Sequence, residues 1–309
     1  MKPYPLFLKP AMKDYLWGGN QLHRRFGYPM PGPHAAEAWV LSCKQGSCSA
    51  VVNGPAAGRY LDDVLREWGM TGEFPVLIKL IDAHDRLSLQ VHPDDEYARR
   101  EENSPGKTEM WYVVDCEPDA TLICGLKEAV TPDALCAAVE DGSILSLCNE
   151  VPVHPGDVFF IEAGTLHAIG KGILIAEIQQ NSDITYRVSD YGRLGADGKP
   201  RALHVRQALD VIRPEPAPAR RESAPNRLVA GGTRQTLVQC PLFSVERVCA
   251  GQMECGRPDR FTSLLCLSGE GMLLWADDAR PFAAGDSIYL PAGVTATVIG
   301  TAELIETTV

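Results

Sequence analysis

The sequence predicts a mainly β protein built in two similar halves with a few helices, and three observations carry that expectation. Short runs rich in Val, Ile, Phe and Tyr, such as WYVVD from Trp111 and GILIAEIQQ from Gly172, alternate with Gly and Pro along most of the chain. Helical periodicity is scarce. A strand, a tight turn and a return strand occur twice: Gly156 begins GDVFFIEAGTLHAIG and Gly285 begins GDSIYLPAGVTATVIG, and the second glycine falls at the same offset, as Gly164 and Gly293.

In chain order, amphipathic spacing predicts helices over Arg59–Gly69, Asp94–Glu101, Pro132–Glu140 and His204–Ile212. Thr131 is the N-cap of the third, with proline in its first turn. Strands are expected at WYVVD, TLICG, GDVFFIEAG and GILIAEIQQ in the first part, and at FSVERV, SLLCLSG and GDSIYLPAG in the second. Between them RPEPAPARRESAPNR is rich in proline and charge and has almost nothing to bury, so residues 214–227 are read as a linker. This divides the chain into residues 1–213 and 228–309.

One stretch stands out. In LSLQVHPDDEY, Leu87, Leu89 and Val91 share one strand face, so Ser88, Gln90 and His92 share the other, and Pro93 stops the strand. Either the polar face meets water, or it points into a barrel and holds something there.

Composition narrows the classes of function. A chain of 309 residues, 45% hydrophobic and 22% charged, is a globular protein with room for two domains. A net charge of −11 argues against nucleic acid, which needs a surplus of Lys and Arg, but not against a small anionic substrate. MKPYPLFLKPAMKDY is interrupted by prolines and lysines too early for a signal peptide, and no later run is long enough to span a membrane, so a cytoplasmic protein is expected. The ten cysteines form no C-x-x-C pair, which disfavours a disulfide framework or a thiolate zinc knot. A homodimer is compatible with the sequence, which does not specify an assembly.

Gly156 to His167 resembles the second signature of the cupin superfamily, G-x5-P-x-G-x2-H, with Glu162 in place of the proline. Gln90-x-His92 followed by Glu109 is similar to the first signature. The ordered set LSLQVHPDD, GKTEMWYVV, GTLHAIGKG and QQNSDITYRVSDYGR looks like the zinc-dependent mannose-6-phosphate isomerase family in its short bacterial form, over most of Pro5–Ile212. WGG at Trp17, EAWVLS at Glu37 and FPVLIKLI at Phe74 fit as well. The resemblance implies two jelly-roll β-barrels of cupin type, the first catalytic and the second, with Ala296 where a metal histidine would stand, without ligands.

It also implies one Zn²⁺ per chain in the first barrel, held by Gln90, His92, Glu109 and His167. Two imidazoles and a carboxylate with open positions suit a catalytic ion. The implied reaction interconverts mannose 6-phosphate and fructose 6-phosphate by moving a proton between carbons 1 and 2 through an enediol. Arg187 and Lys107 are the implied catalytic cations and Asp183 an implied substrate contact, while Ser88, on the same strand face as Gln90, is placed to hydrogen-bond a phosphate. His84, His154 and His204 are read as structural, Arg193 and Lys199 as solvated charges of a surface loop, and no Trp is assigned to substrate. Two alternatives stay open: a non-heme metal oxygenase of cupin type, and a catalytically silent sugar-phosphate binder.

Overall fold

A computed structural model describes residues 1–195, 198–217, 223–276 and 278–309. The protein is mainly β, as expected, and its strands form three antiparallel sheets. The first has six strands, in the order Val158–Ile161, Glu109–Cys116, Ile173–Gln180, Val76–Ala83, Glu37–Leu41 and Ala11–Lys13. The second has five: Tyr186–Ser189, Leu89–Val91, His167–Ala168, Thr121–Leu126 and Cys148–Pro152.

These two sheets face each other. Ile81, Trp111, Val113, Phe159 and Ile175 of the first pack against Leu122, Cys124 and Ile169 on the side of the second. The opposite face of the five-stranded sheet is covered by helices, with Leu89 and Val91 packed against Leu135, Ala138 and Ala208. The alternation in LSLQVH therefore serves two buried faces, the apolar one beneath helices and the polar one inside the barrel.

Local chemistry explains the helix boundaries. Pro132–Glu140 begins where Thr131 Oγ1 accepts a hydrogen bond from Ala134 N at 3.3 Å. Asp95–Glu102 begins where Asp94 accepts from Tyr97 N at 2.9 Å. The other two expected helices are Leu61–Glu67 and Val205–Val211, each shorter than expected at both ends. Gln21–Phe26 and Ile144–Leu147 are also helical but too short to show a period.

Both copies of the repeated block turn at a glycine in the left-handed region, with φ +88° at Gly164 and +77° at Gly293. At Gly164 a Cβ would stand 2.8 Å from Val211 O, and its N–H donates to His92 O at 2.8 Å. The turn keeps its form with Glu162 in the proline's place; that side chain points outward to Arg213 at 3.0 Å.

The third sheet holds the strands of residues 227–308, and also Leu6–Lys9 and Ala50–Val51 from the start of the chain. Leu6–Lys9 pairs with Ser287–Leu290, placing Phe7 in the core of this sheet while Leu6 and Leu8 join a core shared with Val40, Ile78 and Met110. The halves are thus joined by a shared sheet. Of the linker expected over 214–227, residues 218–222 lie outside the described residues; Pro214 O accepts from Val130 N at 2.9 Å, and Arg227 opens a strand.

Phe7→Ala should lower the free energy of unfolding by about 3–5 kcal/mol, the usual cost of emptying an aromatic core site. Urea denaturation measures this, and an unchanged midpoint would mean that the N-terminal strand is not integral to the C-terminal sheet.

Candidate metal centre

Register brings the candidate ligands together from both sheets. In the five-stranded sheet Gln90 lies opposite His167 on one side and Arg187 on the other. In the six-stranded sheet Glu109 opens its strand opposite Ile161 and Gln179. His92 follows one residue after the strand that carries Gln90.

The two imidazoles meet with Nε2 atoms 3.2 Å apart. Glu109 Oε1 lies 3.5 Å from His167 Nε2, and Oε2 lies 3.5 Å from His92 Nε2. All three side chains are buried. His167 Nδ1 donates to Thr165 O at 2.8 Å, which leaves Nε2 with its lone pair. Lys107 Nζ, a donor only, lies 2.9 Å from His92 Nε2, so that nitrogen also offers a lone pair. Two lone pairs and a carboxylate thus converge with few protons between them, a donor set that fits a divalent cation.

Electrostatics agree. Burial, reinforced by Lys107, holds both imidazoles below their ordinary range, His167 at about 4, so both are neutral, the form that binds metal. Burial and then Glu177 push the Glu109 carboxyl up to about 7, even with Lys107 Nζ at 2.9 Å. A bound cation would reverse that tendency.

Gln90 Nε2 is 3.3 Å from His167 Nε2, and Gln90 Oε1 accepts from Ser88 Oγ at 3.5 Å. Turning the amide over would present its oxygen to the cluster instead. Ser88 is buried and accepts from Arg187 Nε at 3.3 Å, and Arg187 Nη1 donates to Ala202 O at 3.0 Å. Lys107 precedes its strand rather than lying in it, and still reaches both His92 and Glu109. Asp183 is exposed and paired with Lys44 at 2.9 Å. Gln90, Lys107, Ser88, Asp183 and Arg187 line a cleft of about 400 Å³ that opens beside the buried cluster.

Glu37, Lys79 and Glu177 also line the cleft, with no role assigned to them from the sequence. Trp39, Lys79, Glu177 and Trp111 stand in one row across four neighbouring strands. Lys79 Nζ lies 3.0 Å from Glu177 and 3.9 Å from Glu37. Trp111 Nε1 donates to Glu177 at 2.9 Å and Trp39 Nε1 to Glu37 at 2.6 Å. Burial would favour a neutral Lys79, but Glu177 and Glu37 outweigh it and raise its pKa. Lys79 and Glu177 each stand between apolar neighbours in a fully buried strand, a signal that marks a buried charge in need of a partner. Arg193, expected to be solvated, instead donates to Asp190 at 2.7 Å and to Arg86 O at 2.6 Å. His204 N donates to Arg187 O at 2.8 Å, and its Nδ1 accepts from Arg187 N at 3.2 Å.

Comparison with known proteins gives a consistent family. Residues 6–117 match the family described as phosphomannose isomerase type I, catalytic domain. The chain is 39% identical over 302 residues to the mannose-6-phosphate isomerase ManA of Bacillus subtilis, covering 95% of each. It is 38% identical over 296 residues to the mannose-6-phosphate isomerase of Streptococcus mutans, covering 93% of this chain and 92% of the other. A crystal structure of the mannose 6-phosphate isomerase from Bacillus subtilis superposes with a TM-score of 0.93 at 36% identity, covering 100% of both chains.

Lys79→Met should leave Glu37 and Glu177 as uncompensated buried carboxylates and cost about 3–5 kcal/mol of stability. Urea unfolding followed by circular dichroism checks this; a variant as stable as the parent would show that the row of charges is not coupled.

Proposed function

The chain belongs to the mannose-6-phosphate isomerase family, and on that footing we propose that it interconverts mannose 6-phosphate and fructose 6-phosphate in the cleft beside His92, Glu109 and His167. The observation that carries this reading is the convergence of two neutral, buried imidazoles and a carboxylate next to a cleft lined by Arg187, Lys107 and Ser88. Neither alternative is favoured. The isomerase names of the relatives weigh against both, and Arg187 and Lys107 would have no task in oxygen chemistry.

The isomerisation moves a proton between carbons 1 and 2, so the site must stabilise negative charge on the enediol oxygens and anchor a phosphate. His92, His167 and Glu109 would hold a zinc ion, one per chain, with Gln90 as a further ligand through its amide oxygen. When bound, the ion supplies Lewis-acid polarisation of the sugar oxygens. Lys107 brings its ammonium between His92 and Glu109 and faces the cleft. Arg187, whose Nη2 has no partner among the described residues, stabilises the enediolate charge. Ser88 fixes Arg187 Nε, and Asp183, held by Lys44, contributes a polar group at the mouth. On this reading residues 1–213 carry the chemistry and residues 228–309 support them.

Two measurements test the proposal. Conversion of mannose 6-phosphate should vanish on complete chelation and return with added zinc, while His92→Ala and His167→Ala should each abolish metal retention without loss of fold; activity that survives full metal removal contradicts the reading. Arg187→Ala should lower kcat by about 100-fold or more while the protein stays folded.

A further inference from the structure

Beyond the strand that carries Arg187, the chain makes a pinned excursion. Arg193 N closes a turn on Asp190 O at 3.0 Å, Leu194 bridges Pro200, and His204 N returns to Arg187 O. Tyr191 holds the turn with φ +57°, and its ring lies beneath the Arg86 guanidinium at 3.7 Å. This path delivers Arg201 back beside Asp190 and into the wall of the cleft.

Asp190 is buried, and its carboxylate accepts from Arg201 Nε at 2.7 Å, Arg201 Nη2 at 2.5 Å and Arg193 Nη2 at 2.7 Å. Burial would push this carboxyl up, but the Arg201 and Arg193 donors outweigh it and hold it below its ordinary value. Gripping Arg201 by Nε and Nη2 fixes the plane of the guanidinium and leaves Nη1 without a partner among the described residues.

Charge at this end of the cleft is unbalanced. Lys44, Lys79 and Lys107 each have a carboxylate partner in Asp183, Glu177 and Glu109. Arg187 forms no ion pair among the described residues, and Arg193 and Arg201 share Asp190, with Asp85 3.5 Å from Arg193. Three guanidiniums against two carboxylates leave positive charge for a phosphate monoester to neutralise.

We propose that Arg201 binds the substrate phosphate beside Arg187, and that Asp190 is the positioning residue that aims it. This deepens the isomerase reading and rests on it for the identity of the substrate. The test uses the metal-loaded protein, with inorganic phosphate as the probe in calorimetric titration and mannose 6-phosphate in steady-state kinetics. Arg201→Ala should raise both the phosphate Kd and the KM by about 10- to 100-fold, with kcat changed far less. Arg201→Lys should recover part of that loss. Asp190→Asn should shift both constants the same way, and the double variant should match Arg201→Ala within about twofold, because the two changes remove one contact.

Unchanged phosphate affinity and KM in Arg201→Ala overturn the inference, as does an additive double variant. Arg201 is partly exposed, so its truncation reports binding rather than folding. A parent protein that binds phosphate in an Arg201-dependent way yet turns over no mannose 6-phosphate would sink the isomerase reading and leave this contact standing.

Discussion

The structure depends on one electrostatic constraint: two imidazole lone pairs and a carboxylate are held together in the dry interior between two sheets. Such a set is costly without a cation, since the carboxylate has lost its water and the two nitrogens face each other across 3.2 Å. The fold supplies only part of the compensation. Lys107 sits against His92 and Glu109, and the Thr165 carbonyl fixes the His167 tautomer. The remaining requirement is one that a divalent ion would meet.

Holding that geometry is the task of strand register. A slip by one residue would turn Gln90 out beneath the helices and bring Leu89 or Val91 into the site. The two sheets contribute different things. The five-stranded sheet brings Arg187, Gln90 and His167 into one row, and the six-stranded sheet sets Trp39, Lys79, Glu177 and Trp111 in another. The second row keeps Glu177 charged at its core. Burial opposes this, but Lys79 and Lys107 bring its carboxyl down to about 2. A cleft floored by fixed charges of both signs is preorganised for a substrate whose charge shifts during reaction.

Those parts of this arrangement that were legible in the sequence were local. The face shared by Gln90 and His92 follows from a period of two, the start of Pro132–Glu140 from Thr131, and the repeated turn from Gly164 and Gly293. The gathering of Glu109 and His167 with that pair came from ordered family motifs, since residues far apart in sequence carry no local mark of meeting. Cross-strand pairing was illegible for the same reason. Nothing near Lys79 names Glu177, and nothing near Leu6–Lys9 says that it completes a sheet almost three hundred residues downstream. Arg193 read as a solvated loop charge because it lies in a glycine-rich stretch, whereas its partner Asp190, three residues earlier, is buried.

The second half of the chain keeps the turn and has lost the imidazole. Ala296, at the offset of His167, is a core residue paired with Cys255, and the interior charge there is an ion cluster in which Arg234 grips Glu306 by both amino groups at 2.8 and 3.0 Å. In this account the first half binds the ion and the second is a packed scaffold. Anomalous X-ray diffraction at the zinc edge, from crystals of the zinc-loaded protein, tests this most directly. The account predicts one strong peak per chain within about 2.0–2.2 Å of His92 Nε2, His167 Nε2 and a Glu109 oxygen. A peak elsewhere, or imidazoles turned away from each other around an empty centre, would contradict it.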